Sequence, residues 1–307
     1  MWEKIVQFFN PLMTRNNKIC LKLQGGLGNQ MFQYAAAKNI SLLTNTPLVL
    51  DISSFSDDPL SRKYRLSIFK IGEKIEKKPG IENDFKYRYN DDTSINFDAK
   101  FFNTRKNTYL SGYFQNEQYF SRISETIKNI FSFSSEVHKD FKKLHSLILN
   151  SESVCILFRR CDYTAIPKYK SFHETCNADY YYTAIKKILQ CIPHPIFFCF
   201  SDDPQWVEDN INIRHPMHII DWKNLSPEDA DYTQLYLISC CKHHILANSS
   251  FAWWGAWLSP HTKQQIYVPS LWYRQPEYQH INPSLKTWNK IDVDLYGHDN
   301  YSTLGNL

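Results

Sequence analysis

The order of apolar and polar residues in the first half of the chain predicts a β-α-β unit. Apolar and polar residues alternate from Lys18 to Leu23, glycines follow, and apolar residues recur at helical spacing from Gln30 to Leu43 before a second apolar run, "TPLVLDI". We assign this unit to residues 17–50. Residues 52–107 are polar, charged and aromatic with weak periodicity, which predicts an irregular insertion with short helices.

The second half of the chain has a cleaner alternation of strand and helix patterns. The predicted strands are 153–158, 196–200, 217–220, 243–248 and 265–269, and the predicted helices are 178–190, 204–210, 227–241 and 251–258. Such alternation is typical of a parallel sheet covered by helices, so the fold class is α/β. Ligands of these sheets bind where strands end at the carboxyl edge, so the turns after Phe158, Phe200 and Asn248 are expected to converge. We place the domain boundary at 150, giving domains 1–150 and 151–307.

The composition and net charge of the chain limit the class of ligand that it is expected to bind. The chain has 307 residues, 43% of them hydrophobic, and a net charge of only +4, which argues against nucleic acid but suits a small anionic substrate. Eight cysteines without a C-x-x-C pair indicate reduced thiols and a cytoplasmic setting. Residues 1–18 contain an apolar patch broken by charges. The segment is either a core-packing or disordered extension, or a short amphipathic helix that contacts the inner face of a membrane peripherally.

Two arginines leave the first strand of the second half in "LFRRCDY". A guanidinium presents a planar fork of donors that suits phosphate oxygens, so Arg159 is predicted to bind a phosphate, with Arg160 as a second candidate. The two side chains leave a strand on opposite faces, which favours Arg159. The alternative for Arg160 is a structural pair with Asp162 or another carboxylate.

Small polar residues lie between a strand and a helix in "ILANSSFAWWGAWL". Asn248, Ser249 and Ser250 are predicted to bind a phosphate together with the first N–H groups of the helix, and simple helix capping is the alternative. The three tryptophans that follow are predicted to be core residues. In "FSDDPQW", Asp202 is either part of a helix start or a contact to the base or ribose.

A metal site and several common catalytic sites are not expected. Of the two D-x-D matches, the one at 229–231 begins a predicted helix and the one at 292–294 lies far from the candidate phosphate turns. His173 with Cys176 lacks a second metal pair at suitable spacing. His173 is therefore a substrate-loop residue or a structural one. The chain has neither a G-x-S-x-G elbow nor a G-x-x-x-x-G-K-[ST] loop, so no metal and no cofactor is predicted.

Five ordered segments resemble the inverting α-1,2-fucosyltransferases of bacterial and animal glycan synthesis. They are "LQGGLGNQMFQYA", "GYFQNEQYF", "FRRCDY", "FSDDPQWVEDNI" and "CKHHILANSSFAWWGAWL", and the resemblance covers about residues 19–290. It implies a GT-B-type enzyme with two Rossmann-like domains facing a central cleft. The N-terminal domain would bind an oligosaccharide or lipid-linked glycan acceptor, and the C-terminal domain would hold GDP-β-L-fucose without a metal.

The resemblance also assigns roles to individual residues. Arg159 matches the arginine on the β-phosphate, and Asn29 matches an asparagine that faces the sugar. Asp162 is the nearest candidate for a general base, although a salt bridge to an arginine would explain it equally well. The remaining matched positions are Gly28 and Gln30 beside Asn29 on the sugar-facing turn, and Asn248, Ser249, Ser250 and Phe251 on the donor turn.

Two positions depart from the family's pattern. Leu157 replaces a histidine and Gln234 replaces an aspartate, both at the nucleoside end of the donor pocket in related enzymes. A carboxylate accepts two hydrogen bonds from guanine, whereas glutamine offers one acceptor oxygen and adds opposing donors. The leading hypothesis is fucosyl transfer from GDP-fucose to the 2-hydroxyl of a galactoside. The alternatives are a different nucleotide-sugar donor and a catalytically silent glycan- or nucleotide-binding protein; drift at single contacts would leave the donor unchanged.

Overall fold

The chain forms two compact units. The computed structural model describes residues 17–58, 60–91, 96–133, 139–160, 176–220 and 226–292. By their contacts, residues up to 66 and 71–127 form the first unit, and residues 67–70 and those from 128 onward form the second. Each unit is built on its own parallel sheet.

The first unit contains, in its described part, a five-stranded parallel sheet in the order β3-β2-β1-β5-β4. Its elements are β1 (Ile19–Lys22), α1 (Leu27–Leu43), β2 (Leu48–Asp51), β3 (Lys74–Glu76), β4 (Tyr87–Asp91) and β5 (Thr108–Gly112). The order changes direction between β1 and β5, so the carboxyl ends of these two strands flank the point where a ligand crevice opens in such sheets. The glycine-rich turn lies at that point, because it joins β1 to α1.

The predicted insertion at 52–107 is more regular than its sequence pattern suggests. It supplies both edge strands of the sheet, β3 and β4, and its described residues include four short 3₁₀ turns. The prediction missed these strands because "KIE" and "YRYND" lack an apolar face and are mostly solvent-accessible. Charged, short strands are typical of sheet edges.

The second unit contains, in its described part, a six-stranded parallel sheet in the order β11-β10-β9-β6-β7-β8. Its strands are β6 (Glu152–Phe158), β7 (Pro195–Ser201), β8 (Met217–Ile220), β9 (His243–Ile245), β10 (Ile266–Pro269) and β11 (Asn289–Ile291). The helices from the end of the first unit onward are α2 (Ser124–Ile130), α3 (Lys142–Leu149), α4 (Ala178–Cys191), α5 (Pro204–Asn210), α6 (Pro227–Cys240) and α7 (Ser250–Trp257). This is the doubly wound order, with its change of direction between β6 and β9.

The predicted α/β fold class is confirmed in both units. Strands β6 and β7 are apolar along nearly their whole length and buried on both faces, as the central strands of parallel sheets are. Trp253, Trp254 and Trp257 of α7 are 0%, 0% and 8% exposed, so they belong to the core as predicted. No helix in the described ranges is both long and apolar enough to span a membrane.

The contacts divide the chain before the predicted boundary at 150. Residues 128–150 belong to the second unit because α3 packs against α6. The Tyr236 hydroxyl lies 3.2 Å from Nε2 of His145, and the two rings are 5.3 Å apart. This contact joins residues that are 91 positions apart, so a local sequence pattern does not predict it.

Candidate functional site

Two arginines and an aspartate meet at the carboxyl edge of the second sheet. Arg159 and Arg160 follow β6 directly, and Asp202 follows the neighbouring strand β7. Nη1 of Arg159 lies 3.1 Å from Oδ2 of Asp202, and the backbone N–H of Arg160 donates to Oδ1 at 2.8 Å. One carboxylate therefore fixes the start of the arginine loop. A guanidinium has five N–H donors, so its contact with Asp202 is compatible with an additional phosphate contact.

Arg160 has a different environment from Arg159. Its guanidinium carbon lies 3.8 Å from the ring centroid of Trp206 on α5, a cation–π contact that ties the end of β6 to that helix. The side chain thus has a structural function, which does not support its predicted phosphate contact. Sequence reasoning overlooked Trp206, although its position four residues after Asp202 was visible.

Asn248 is an internal link between loops. Its side chain is 1% exposed, and its Nδ2 donates to the carbonyl oxygen of Trp272 at 3.0 Å. Its Oδ1 accepts a hydrogen bond from the Cys176 thiol at 3.9 Å. The side chain joins the turn after β9 to the loop after β10, and its donor-binding role stays a prediction.

The serines of the same turn have unequal surroundings. Ser249 is 7% exposed and caps α7, because its Oγ accepts the backbone N–H of Ala252 at 3.5 Å. The capping alternative therefore holds for Ser249. Ser250 and Phe251 are half-buried in the first helical turn. An anion at the start of α7 would contact Ser250 and the first backbone N–H groups of the helix. The helix dipole favours negative charge at this end.

Two tyrosines on α4 form hydrogen bonds with backbone carbonyls near this edge of the sheet. The hydroxyl of Tyr180 donates to the carbonyl of Leu246 at 2.6 Å, and that of Tyr181 donates to the carbonyl of Leu157 at 3.3 Å. Burial raises the pKa of both hydroxyls, so they remain neutral donors. The ends of β6 and β9, which carry the candidate residues, are thereby held in place.

In the first unit, the glycine turn brings backbone close to a single side chain. Gly25 has φ +77°, and a Cβ atom there would lie 2.7 Å from Nδ2 of Asn29. Gly26, at the start of α1, has open space around it, whereas Gly28 is buried within the first turn. Asn29 is half-buried and its Oδ1 accepts a hydrogen bond from Nε2 of Gln115 at 2.7 Å.

Gln30 links the glycine turn to a neighbouring segment of the first unit. Its side chain is 0% exposed. Its Nε2 donates to the carbonyl oxygens of Gly25 and Lys63, both at 2.9 Å, and its Oε1 accepts the backbone N–H of Arg65 at 2.9 Å. These hydrogen bonds hold the glycine turn against the segment around residue 64, and the sugar-facing role of Gln30 stays a prediction.

Comparison with known proteins agrees with this arrangement. The family model described as Glycosyl transferase family 11 matches residues 1–292. This chain belongs to glycosyltransferase family 11. It is 29% identical over 290 residues to an α-1,2-colitosyltransferase of Escherichia coli, covering 89% of this chain and 99% of the relative. It is also 29% identical over 285 residues to the O-antigen biosynthesis glycosyltransferase WbnK of Escherichia coli, covering 82% and 93%.

Solved structures support the fold assignment. Fucosyltransferase NodZ from Bradyrhizobium superposes with a TM-score of 0.51 at 14% identity, covering 80% of this chain and 94% of that one. The NodZ α-1,6-fucosyltransferase soaked with GDP-fucose gives a TM-score of 0.50, covering 80% and 93%. At this identity the likeness concerns the fold, and it agrees with a GT-B-like α/β architecture for this family 11 member.

The two positions that depart from the family 11 pattern have distinct surroundings. Leu157 is 3% exposed in β6, and its carbonyl accepts the backbone N–H of Ala247 at 3.1 Å. Gln234 is half-buried in the middle of α6 and makes no side-chain hydrogen bond to the part of the chain that the structure describes. Leu157 is therefore a packing residue, whereas Gln234 is partly exposed, so its carboxamide can form a hydrogen bond with a ligand.

Two predicted site residues, Asp162 and His173, lie outside the described residues. The general-base assignment of Asp162 and the substrate-loop assignment of His173 therefore stay predictions. Within the described ranges, no three His, Cys, Asp or Glu side chains cluster as metal ligands would. Metal independence likewise stays a prediction for this family 11 enzyme.

Proposed function

We propose that this family 11 glycosyltransferase transfers L-fucose, with inversion, from GDP-β-L-fucose to the 2-hydroxyl of a galactoside. The acceptor would be an oligosaccharide or a lipid-linked glycan of a surface polysaccharide. The observation that supports this most strongly is Arg159, held by Asp202 beside the change of strand direction between β6 and β9. This is where doubly wound sheets bind nucleotides.

The proposed chemistry needs positive potential where the diphosphate leaves. Glycosyl transfer passes through a transition state that resembles an oxocarbenium ion, so negative charge develops on the departing phosphate oxygen. Fixed donors aimed at that oxygen stabilise it, each by roughly 3 kcal/mol in comparable sites. We assign this task to Arg159, together with Ser250 and the first N–H groups of α7, without a metal ion. Asp162 is the proposed base for the acceptor hydroxyl.

A second candidate function uses a different donor sugar or nucleotide. It is favoured by the α-1,2-colitosyltransferase among the relatives, and by Gln234 at the position where an aspartate would pair with guanine. Colitose is L-fucose without its 3-hydroxyl group, so the two donors differ at one hydrogen-bonding position. A site that hydrogen-bonds that hydroxyl discriminates strongly against its absence, whereas an apolar site discriminates weakly in either direction.

The test is a donor matrix with lactose and other galactosides as acceptors. Mass spectrometry measures product from GDP-fucose and GDP-colitose, and calorimetry compares GDP, UDP, dTDP and CDP. The leading proposal expects a fucosylated product and preference for GDP. Product from GDP-colitose alone, or preference for another nucleotide, would replace it with the second candidate. Tight nucleotide binding without any product would indicate a silent binding protein.

Two variants near opposite ends of β6 separate catalysis from folding. Arg159→Ala should abolish transfer and weaken GDP binding. Lys242→Ala breaks the ion pair to Glu152, 2.8 Å long, at the opposite end of β6 and should leave both unchanged. Equal losses in the two variants would contradict the assignment of Arg159.

A further inference from the structure

A glutamine that no prediction assigned to the site contacts the predicted sugar-facing asparagine. Gln115 lies three residues beyond the end of β5, and Asn29 lies in the first turn of α1 after β1. These are the two strands between which the first sheet changes direction. Nε2 of Gln115 donates to Oδ1 of Asn29 at 2.7 Å, and Gln115 is only 8% exposed. The contact joins residues that are 86 positions apart.

This hydrogen bond decides which way the Asn29 carboxamide points. An asparagine side chain has one accepting and one donating end, and turning it by half a rotation exchanges them. Because Oδ1 accepts from Gln115, Nδ2 is directed away from it, toward the backbone of Gly25. The half-buried end of Asn29 is therefore a donor, and a hydroxyl or ring oxygen of a sugar is a matching acceptor.

The turn that presents Gln115 is built to hold one conformation. Phe114 has φ +51°, a left-handed conformation that costs a non-glycine residue free energy. Its N–H donates at 2.8 Å to Asp91, which is 4% exposed and also accepts the hydroxyl of Tyr119 at 3.2 Å. Gly112, with φ +127°, lies so close to Asp91 that a Cβ atom there would overlap it. Backbone strain secured by buried hydrogen bonds is common at functional sites.

We propose that Gln115 is a positioning residue, which fixes the Asn29 carboxamide so that Nδ2 is presented as a hydrogen-bond donor to a sugar. This inference rests on the proposed function and on the sugar-facing role that the family resemblance implies for Asn29. Gln115 itself need not touch the substrate. Its effect on the rate passes entirely through Asn29, and that property separates it from a residue that only stabilises the fold.

The experiment is a double-mutant cycle with two substitutions at 115. Gln115→Met removes the donor and keeps the length, and Gln115→Glu replaces it with an acceptor that attracts Nδ2 and so turns the amide of Asn29. Each should lower kcat about tenfold or more, the equivalent of one lost hydrogen bond in the transition state. Gln115→Met should lower the melting temperature by only about 2–4 °C, because the same hydrogen bond is lost from the folded state. In the background of Asn29→Ala, Gln115→Met should change kcat by less than about twofold. Gln118→Met, an exposed neighbour in the same segment, is the control and should behave as wild type.

The outcomes distinguish the inference from the function on which it rests. If wild-type protein transfers sugar and Asn29→Ala is impaired, but both Gln115 variants keep wild-type kcat, the inference is overturned and the proposed function stands. An undiminished effect of Gln115→Met in the Asn29→Ala background also overturns it, because a merely structural role predicts that result. If wild-type protein yields no product with any donor, the proposed function fails first.

Discussion

Replacing Gly25 with alanine tests whether the glycine turn is required by its geometry. Gly25 has φ +77°, a region that side chains with a Cβ atom rarely adopt, and the added atom would lie 2.7 Å from Nδ2 of Asn29. The backbone and the Asn29 side chain cannot both keep their positions. Gly26 is the natural control, because its φ is −75° and no atom beyond its neighbours lies within 4 Å of an added Cβ.

The expected cost of Gly25→Ala follows from three contributions. The left-handed conformation costs a residue with a Cβ atom about 1–2 kcal/mol. Displacing Asn29 from Gln115 forfeits a hydrogen bond worth about 1 kcal/mol. Alanine also lowers the conformational entropy of the unfolded chain, which raises the free energy of unfolding by about 0.4–1 kcal/mol and offsets part of the loss. The free energy of unfolding should therefore fall by roughly 2 kcal/mol.

Gly26→Ala should change the free energy of unfolding by less than about 1 kcal/mol, because unfolded-state entropy and weaker helix capping act in opposite directions. Urea unfolding of both variants, followed by circular dichroism, measures the difference, and transfer assays measure activity. Gly25→Ala should also lose activity through Asn29. Equal destabilisation by the two substitutions would refute the reasoning, since it would show that neither the φ angle nor the contact with Asn29 matters.

Three further predictions concern the second unit. Asp202→Asn should weaken GDP binding about tenfold in calorimetry, because Arg159 loses the carboxylate that orients it; unchanged affinity would contradict this. Burial lowers the pKa of His244 from 6.5 to about 4. Between pH 6.5 and pH 4, His244 is therefore protonated in the unfolded chain but neutral in the folded chain, which favours unfolding. Stability should thus drop by about 3 kcal/mol from pH 7 to 4, and His244→Gln should flatten that dependence; an unaltered pH profile would exclude His244 as its source. Gly255→Ala should cost about 1–3 kcal/mol in urea unfolding, because the new methyl group overlaps Ile238, and Ile238→Ala should remove most of that added cost.

Local patterns predicted those parts of the fold that local physics determines. The central strands of the second sheet are unbroken apolar runs between turn residues, and such runs form buried parallel strands whatever their neighbours are. The edge strands β3, β4 and β11 are short and charged or polar. They form strands because they hydrogen-bond to the adjacent strand of the sheet. Their formation depends on contacts that a local pattern does not contain.

The candidate site shows the same limit. The chemistry of Arg159 and the capping position of Ser249 were predictable from residue type and place. The pairing of Arg159 with Asp202 was not, because it depends on the register of β6 and β7, in which Phe158 lies beside Ser201. The contact of Gln115 with Asn29 likewise requires knowing that β5 is next to β1.

The stacking of Arg160 on Trp206 gives the enzyme a spectroscopic reporter at the carboxyl edge of its second sheet. Trp253, Trp254 and Trp257 are buried in the core, whereas the indole of Trp206 is only partly covered and lies directly beneath a cation. Any ligand that draws Arg160 away changes the electric field on that ring and hence its emission. Binding of a ligand that displaces Arg160 can therefore be followed by fluorescence titration without attaching a dye.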